Sequence, residues 1–149
     1  MKTRKLLGSL LPSLAALMLS AGVAAATPRE PQVLPTVGDA YAASYDAVWD
    51  ATLKSLGVLR LPVADKAAGR IETEEFPFVF VVGGSHTGNT QVIWITMRIS
   101  VSRAADNRTL VQVETRINNA LLAGFTPGPT NNPWADLFAR IRANLGIRG

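Results

Sequence analysis

The chain has 149 residues, no cysteine, one histidine, and a formal charge of +4 from 15 basic and 11 acidic residues. Without cysteine there is no disulfide framework, thiolate metal site or thiol nucleophile, and no lipid anchor on a cleavage-point cysteine. The length suits one hydrophobic core and is short for two.

At the start, Lys2, Arg4 and Lys5 precede an apolar run from Leu6 to Val23 that ends in Ala24, Ala25 and Ala26. A basic start, an apolar middle and small residues before a polar break predict a secretory signal peptide over residues 1–26, cleaved after Ala26. Gly8, Ser9, Pro12, Ser13 and Ser20 interrupt the run, which argues against a spanning helix of about 20 mostly apolar residues. The expected location is the periplasm or the exterior, with no transmembrane segment after cleavage. Losing Lys2, Arg4 and Lys5 brings the 15 basic residues down to 12 against 11 acidic ones, a balance of +1. The remaining basic residues form no run, so no nucleic-acid partner is expected.

Residues 27–38, TPREPQVLPTVG, carry three prolines and read as an extended Pro-rich linker to a single domain over 39–149. Tyr41, Tyr45, Val48, Trp49, Leu53 and Leu56 recur at helical spacing, which predicts a first helix capped by Asp39 and stopped by Gly57. Asp50 and Lys54 stand four apart on its polar side, a favourable pair. Val58 to Val63 contains Pro62 and reads as an edge strand. A turn over 65–69 leads to a strand over 70–75, and Phe78 to Val82 forms another. Gly83 to Asn89 is loop-like.

The clearest strand follows. Ile93, Ile95, Met97, Ile99 and Val101 alternate with Trp94, Thr96, Arg98, Ser100 and Ser102, so one face is apolar and the other mainly polar. Ala104 to Arg108 turns the chain into a second alternating strand, with Val111, Val113 and Ile117 inward and Gln112, Glu114 and Arg116 outward. Residues 118–132 are rich in glycine and proline. A last helix starts at Pro133 behind the cap Asn132, carries Trp134, Leu137, Phe138, Ile141 and Leu145 on one stripe, and stops at Gly146. Helix, antiparallel strands and helix together predict an α+β domain of two layers, a curved sheet with the helices on one side. Trp49 and Trp134 then belong to its core.

Few residues suggest chemistry, and no catalytic residue, metal ligand or cofactor is assigned. His86 stands in a Gly-rich loop with only Ser85 adjacent, which is poor geometry for a nucleophile and base. The loop has neither the Lys-Ser/Thr pair nor the following helix of a phosphate loop. Glu72 and Glu74 share a strand face, but solvated strand charges are the commoner use of such residues. Arg98 and Arg116 lie on neighbouring strands, within cross-strand reach of Glu72 or Glu114. Surfaces are more suggestive. Trp94 sits on the polar face of its strand, and Leu121, Leu122 and Phe125 sit in the Gly/Pro segment; these four are the candidate binding residues.

Residues Tyr45-Asp46-Ala47-Val48-Trp49, Leu53, Leu56-Gly57, Val63, Asp65-Lys66 and Gly69-Arg70-Ile71-Glu72-Thr73 form a rhythm. It resembles repeats in the lipoprotein C component of the bacterial outer-membrane barrel-assembly machinery. The resemblance covers about a quarter of the mature chain and implies a helix-grip fold with an N-terminal helix, an antiparallel sheet and a C-terminal helix. It carries no catalytic residue, and this chain lacks that family's lipidated cysteine and second domain. Two functions follow as expectations. One is a non-enzymatic exported interaction module serving cell-envelope or outer-membrane protein assembly. The other is a carrier of a small hydrophobic ligand held between sheet and helix, lined by Phe78, Phe80, Ile95, Met97 and Phe138.

Overall fold

The computed structural model describes the backbone of residues 31–82, 89–118 and 133–147. In chain order these form β1 (Gln32–Val33), β2 (Val37–Tyr41), α1 (Tyr45–Leu56), β3 (Val63–Asp65), β4 (Arg70–Glu72), β5 (Phe76–Val82), β6 (Asn89–Arg103), β7 (Thr109–Ile117) and α2 (Pro133–Asn144). The domain is α+β: seven antiparallel strands in one sheet, with two helices.

The 15-residue β6 is the spine of the sheet. On one side it pairs along its length with β7, from Ile95↔Ile117 to Arg103↔Thr109. On the other it pairs first with β5 and then with β4, and β3 lies outside β4. β1 and β2 share the far edge of β7. Both edges break on the same row. Between β1 and β2 the register against β7 steps by one residue, and between β4 and β5 the register against β6 does the same. Each step is a bulge, which bends a strand and tightens its twist. Leu34 NH still donates to Thr115 O at 2.9 Å, and Thr73 NH to Met97 O at 3.0 Å. The bent row therefore runs Leu34, Thr115, Met97, Thr73.

Alternation along the strands sends Ile93, Ile95, Met97, Ile99, Val101, Val111, Val113, Ile117 and Ile71 to one face, and all are buried. Val48, Trp49 and Leu56 of α1 and Trp134, Leu137, Phe138 and Ile141 of α2 complete the same core. Both faces of β6 and β7 and the stripe of α2 agree with the sequence, as does that of α1 from Tyr45 on; Tyr41, read as part of that stripe, is the last residue of β2. α2 ends as its sequence requires: Gly146 takes φ 71° and the Ile147 amide donates to Arg142 O at 2.9 Å, the capping bond of a left-handed helix end. Asn132, its expected cap, lies outside the described residues.

The N-terminal side of the domain differs from expectation. Gln32–Val33 and Val37–Tyr41 are strands paired with β7, although they fall largely in the stretch read as a linker. Two strands thus precede α1, and the helix is not the first element. Asp39 is no cap: it sits on the inward side of β2 opposite Val111 and holds Arg142 of α2. The cap is Ser44, whose hydroxyl accepts from the Ala47 amide at 3.3 Å. Asp50 meets Lys66 at 3.7 Å instead of Lys54. The strand expected over 58–63 is confined to Val63–Asp65, because the chain leaves α1 through Gly57 at φ 59° and runs irregularly to Pro62. The turn over 65–69 is where expected, and Gly69 closes it at φ 65°.

Candidate functional site

A cleft of about 420 Å³ opens where the end of α1, the β5 end of the sheet and α2 meet. One wall is Ser55 and Leu56 of α1 and the Gly57–Leu59 stretch behind them; Phe76, Phe78 and Met97 form the sheet side, and Pro133, Asp136, Leu137 and Arg140 of α2 the other wall. Local sequence sets each piece. Gly57 releases the chain from the helix so that Leu59 folds back, its amide donating to Leu56 O at 3.2 Å. The Glu74 amide, pointing away from β6, donates to Arg60 O at 2.9 Å and ties this stretch to the sheet. Alternation in β5 turns Phe76 and Phe78 inward while Val79 faces out and is 57% exposed.

The polar groups of the cleft are already engaged. Ser55 Oγ donates to Ala51 O at 2.6 Å and accepts from Asn144 Nδ2 at 2.9 Å. At the mouth, Arg140 and Asp136 form an ion pair at 2.6 Å, one turn apart on α2. Opposite charges in solvent at that spacing leave a rim with little net charge to recruit an ion. Of the residues expected to line such a space, Phe78 and Met97 do so. Ile95 and Phe138 are buried in the core and are not part of its lining. The side chain of Phe80 lies outside the described set.

Of the candidate binding residues, Trp94 is described, and it does not line this cleft. Trp94 faces outward, opposite Pro77, and is 43% exposed. Val92, also exposed, lies on the same outer face. Leu121, Leu122, Phe125 and His86 lie outside the described residues. Further along that outer face, Glu72 accepts from Arg70 and from Arg98, the latter at 2.8 Å, and Glu114 accepts from Arg116 at 3.0 Å. The two arginines, Arg70 first, hold the Glu72 carboxyl below its ordinary range. Among the described residues Glu74 reaches Arg60, at 3.9 Å, so Glu72 and Glu74 serve different arginines there. No group of three metal-ligating side chains occurs among the described residues. Nor is any helix among them long and apolar enough to cross a membrane.

A second depression lies at the far end of α1, lined by Tyr45, Asp46, Lys66, Gly69, Val101 and Arg103. Its cations are occupied. Lys66 bridges Asp46 at 2.9 Å, a contact that lowers the carboxyl's pKa and raises the ammonium's, and Arg103 lies over the Tyr45 ring at 5.7 Å. Its lining carries two cations, Lys66 and Arg103, against the one carboxylate of Asp46, and it lacks the convergent apolar walls of the cleft.

No family model matches the chain, and no curated protein matches it. Among solved structures, Ara h 8.0201 aligns with 78% of this chain and 96% of its own, at 7% identity and a TM-score of 0.43. A DUF4468 family protein from Bacteroides ovatus aligns with 76% of this chain and 86% of its own, at 12% identity and a TM-score of 0.46. Norcoclaurine synthase from Thalictrum flavum aligns with 99% of this chain and all of its own, at 13% identity and a TM-score of 0.42. Likeness at this level carries no argument about the site, and the cleft is read from its own side chains.

Several cleft residues were within reach of the sequence but carried no label there. Leu59 follows a helix-ending glycine, Phe76 keeps the phase of Phe78, and Leu137 is on the stripe of α2. The three-way meeting that brings them together depends on pairings far apart in the sequence.

Proposed function

We propose that the mature chain is an exported, non-enzymatic carrier that holds a small uncharged hydrophobe in the cleft between sheet and helices. The observation that carries this is the cleft itself: Leu56, Leu59, Phe76, Phe78, Met97 and Leu137 converge on about 420 Å³ of space behind a charge-balanced rim. Ligand sites generally run from about 300 to 1,000 Å³ with mostly apolar walls. Removing roughly 300 Å² of apolar ligand surface from water is worth about 7 kcal/mol before association costs, so affinities no tighter than about micromolar are expected. The signal-like start of the chain supports export, and the small residues Ala24 to Ala26 at its end support cleavage there.

The test is displacement of the neutral dye N-phenylnaphthylamine by apolar ligands, with native mass spectrometry of protein purified from an exporting host. Dye binding that Leu59→Trp reduces at least tenfold, with an unchanged unfolding midpoint, is the expected result. No dye bound up to its solubility limit, and only bare polypeptide in the spectrum, would overturn the carrier.

The interaction-module reading draws on another surface. Trp94, Val92 and Val79 expose apolar area on the side of the sheet opposite the helices. Crosslinking in native envelopes that captures a defined protein through this face, and is lost in Trp94→Lys, would favour it over the carrier.

A further inference from the structure

Among the described residues two buried hydroxyls on the inward face of the sheet make no hydrogen bond, those of Tyr41 and Thr115, and of the two Thr115 is the one paired across strands with a cleft-lining residue. Thr115 is wholly buried, at 0% exposure, and its Oγ1 has no hydrogen-bond partner among the described residues. The other buried hydroxyls in reach of the cleft are satisfied: Thr73 Oγ1 accepts from the Met97 amide at 2.9 Å, and Ser55 Oγ has two partners. Thr115 is the direct cross-strand partner of Met97 on the same face. Side chains so paired stand about 5 Å apart at Cβ. Met97 is itself a cleft-lining residue, so one unbranched, easily re-oriented thioether separates the unpaired hydroxyl from the cleft.

We propose that Thr115 receives the polar end of the ligand, and that the cleft selects a hydrophobe bearing one uncharged hydroxyl or carbonyl at its inner end. This rests on the carrier reading. A buried hydroxyl without a partner lowers stability. A valine, of the same shape, would fill the place without that cost. Threonine both donates and accepts, so it can serve a ligand hydroxyl or carbonyl alike. A charged head group does not fit, because no counter-charge lines this end of the space.

Equilibrium dialysis of naphthol and naphthalene against the mature chain and its variants tests this. The wild type should bind naphthol at least fivefold more tightly than naphthalene, the effect of one hydrogen bond. Thr115→Val should bind the two equally, keep wild-type affinity for naphthalene, and unfold at the same or a higher denaturant concentration. Thr115→Ser, which keeps the hydroxyl, should keep the preference. Binding of both compounds by the wild type without preference, or a preference that survives in Thr115→Val, would overturn the role of Thr115 and leave the carrier standing. Failure of the wild type to bind either would overturn both.

Discussion

Gly69 offers the sharpest test of how the cleft is held. The β3–β4 hairpin is docked by three pairs with β6 and by the Val101 amide donating to Gly69 O at 2.8 Å. Gly69 has φ 65°, and a Cβ placed there would lie 2.2 Å from Val101 O, with the Tyr45 hydroxyl 3.3 Å away. Gly69→Ala therefore meets two costs. The left-handed backbone costs about 1–2 kcal/mol for an L residue. Relieving the overlap must push the turn off β6, which sacrifices a hydrogen bond worth about 1 kcal/mol and disturbs the rest of the hairpin. The expected loss is about 2–4 kcal/mol, or roughly 8–16 °C in melting temperature for a domain of this size. Gly146→Ala is the matched control. It has φ 71° and open space around the new Cβ, so only the backbone cost applies, about 1–2 kcal/mol. Urea unfolding of both variants, read by tryptophan fluorescence, separates strain from overlap. Equal midpoints would refute the claim that close approach to Val101 dictates glycine at position 69. Because the same hairpin leads to the bulge that anchors Arg60, Gly69→Ala should also weaken dye binding in the cleft.

Three further outcomes are expected. Glu72→Gln should destabilise the protein at neutral pH, and the gap from wild type should close as the pH falls. The folded carboxyl titrates below its ordinary value of 4.5, so its stabilisation is present above the unfolded pKa and is lost as pH drops through the folded one; urea midpoints at pH 7 and pH 3 measure this. Arg142→Ala should cost about 1 kcal/mol at low salt and less in molar sodium chloride, since it frees a partly exposed pair that joins α2 to β2. Trp49→Ala should cost about 3–5 kcal/mol, and Trp94→Ala much less, because Trp49 is buried and Trp94 is 43% exposed; paired unfolding curves decide.

What was legible in the sequence was local. The alternation of β6 and β7, the stripes of both helices and the turn at 65–69 each depend on spacing within a dozen residues, and burial agrees with every one. β1 and β2 depend instead on a partner some seventy or more residues away, and their own signals mislead. Prolines argue against a packed strand, yet Pro35 falls in the bulge between β1 and β2, where no ladder amide is lost. Asp39 interrupts the inward alternation of Val37 and Tyr41, which hides a strand and imitates a helix cap; Arg142, over a hundred residues on, is what makes an acid tolerable there. Burial first, and the Asp39 charge after it, raise the Tyr41 phenol above its usual range.

The cleft shows the same division more strongly. Along the sequence, Pro35 and the Glu74-Glu75 pair are unrelated punctuation, and Thr115 is a small polar residue in the inward phase of Val111, Val113 and Ile117. Strand pairing puts both breaks on one row and makes Met97 and Thr115 its centre. A bulge on each edge bends the sheet on that row. Ile93, Ile95 and Ile117 beyond it are still fully covered, while Phe76 and Phe78, on the short edge strand, are only half-buried. The apolar opening and the buried unpaired hydroxyl therefore share one structural cause, the bent row. A deletion that straightened it, by removing the extra residue between Thr73 and Phe76, should close the cleft and return the Met97 amide from Thr73 Oγ1 to the backbone ladder together.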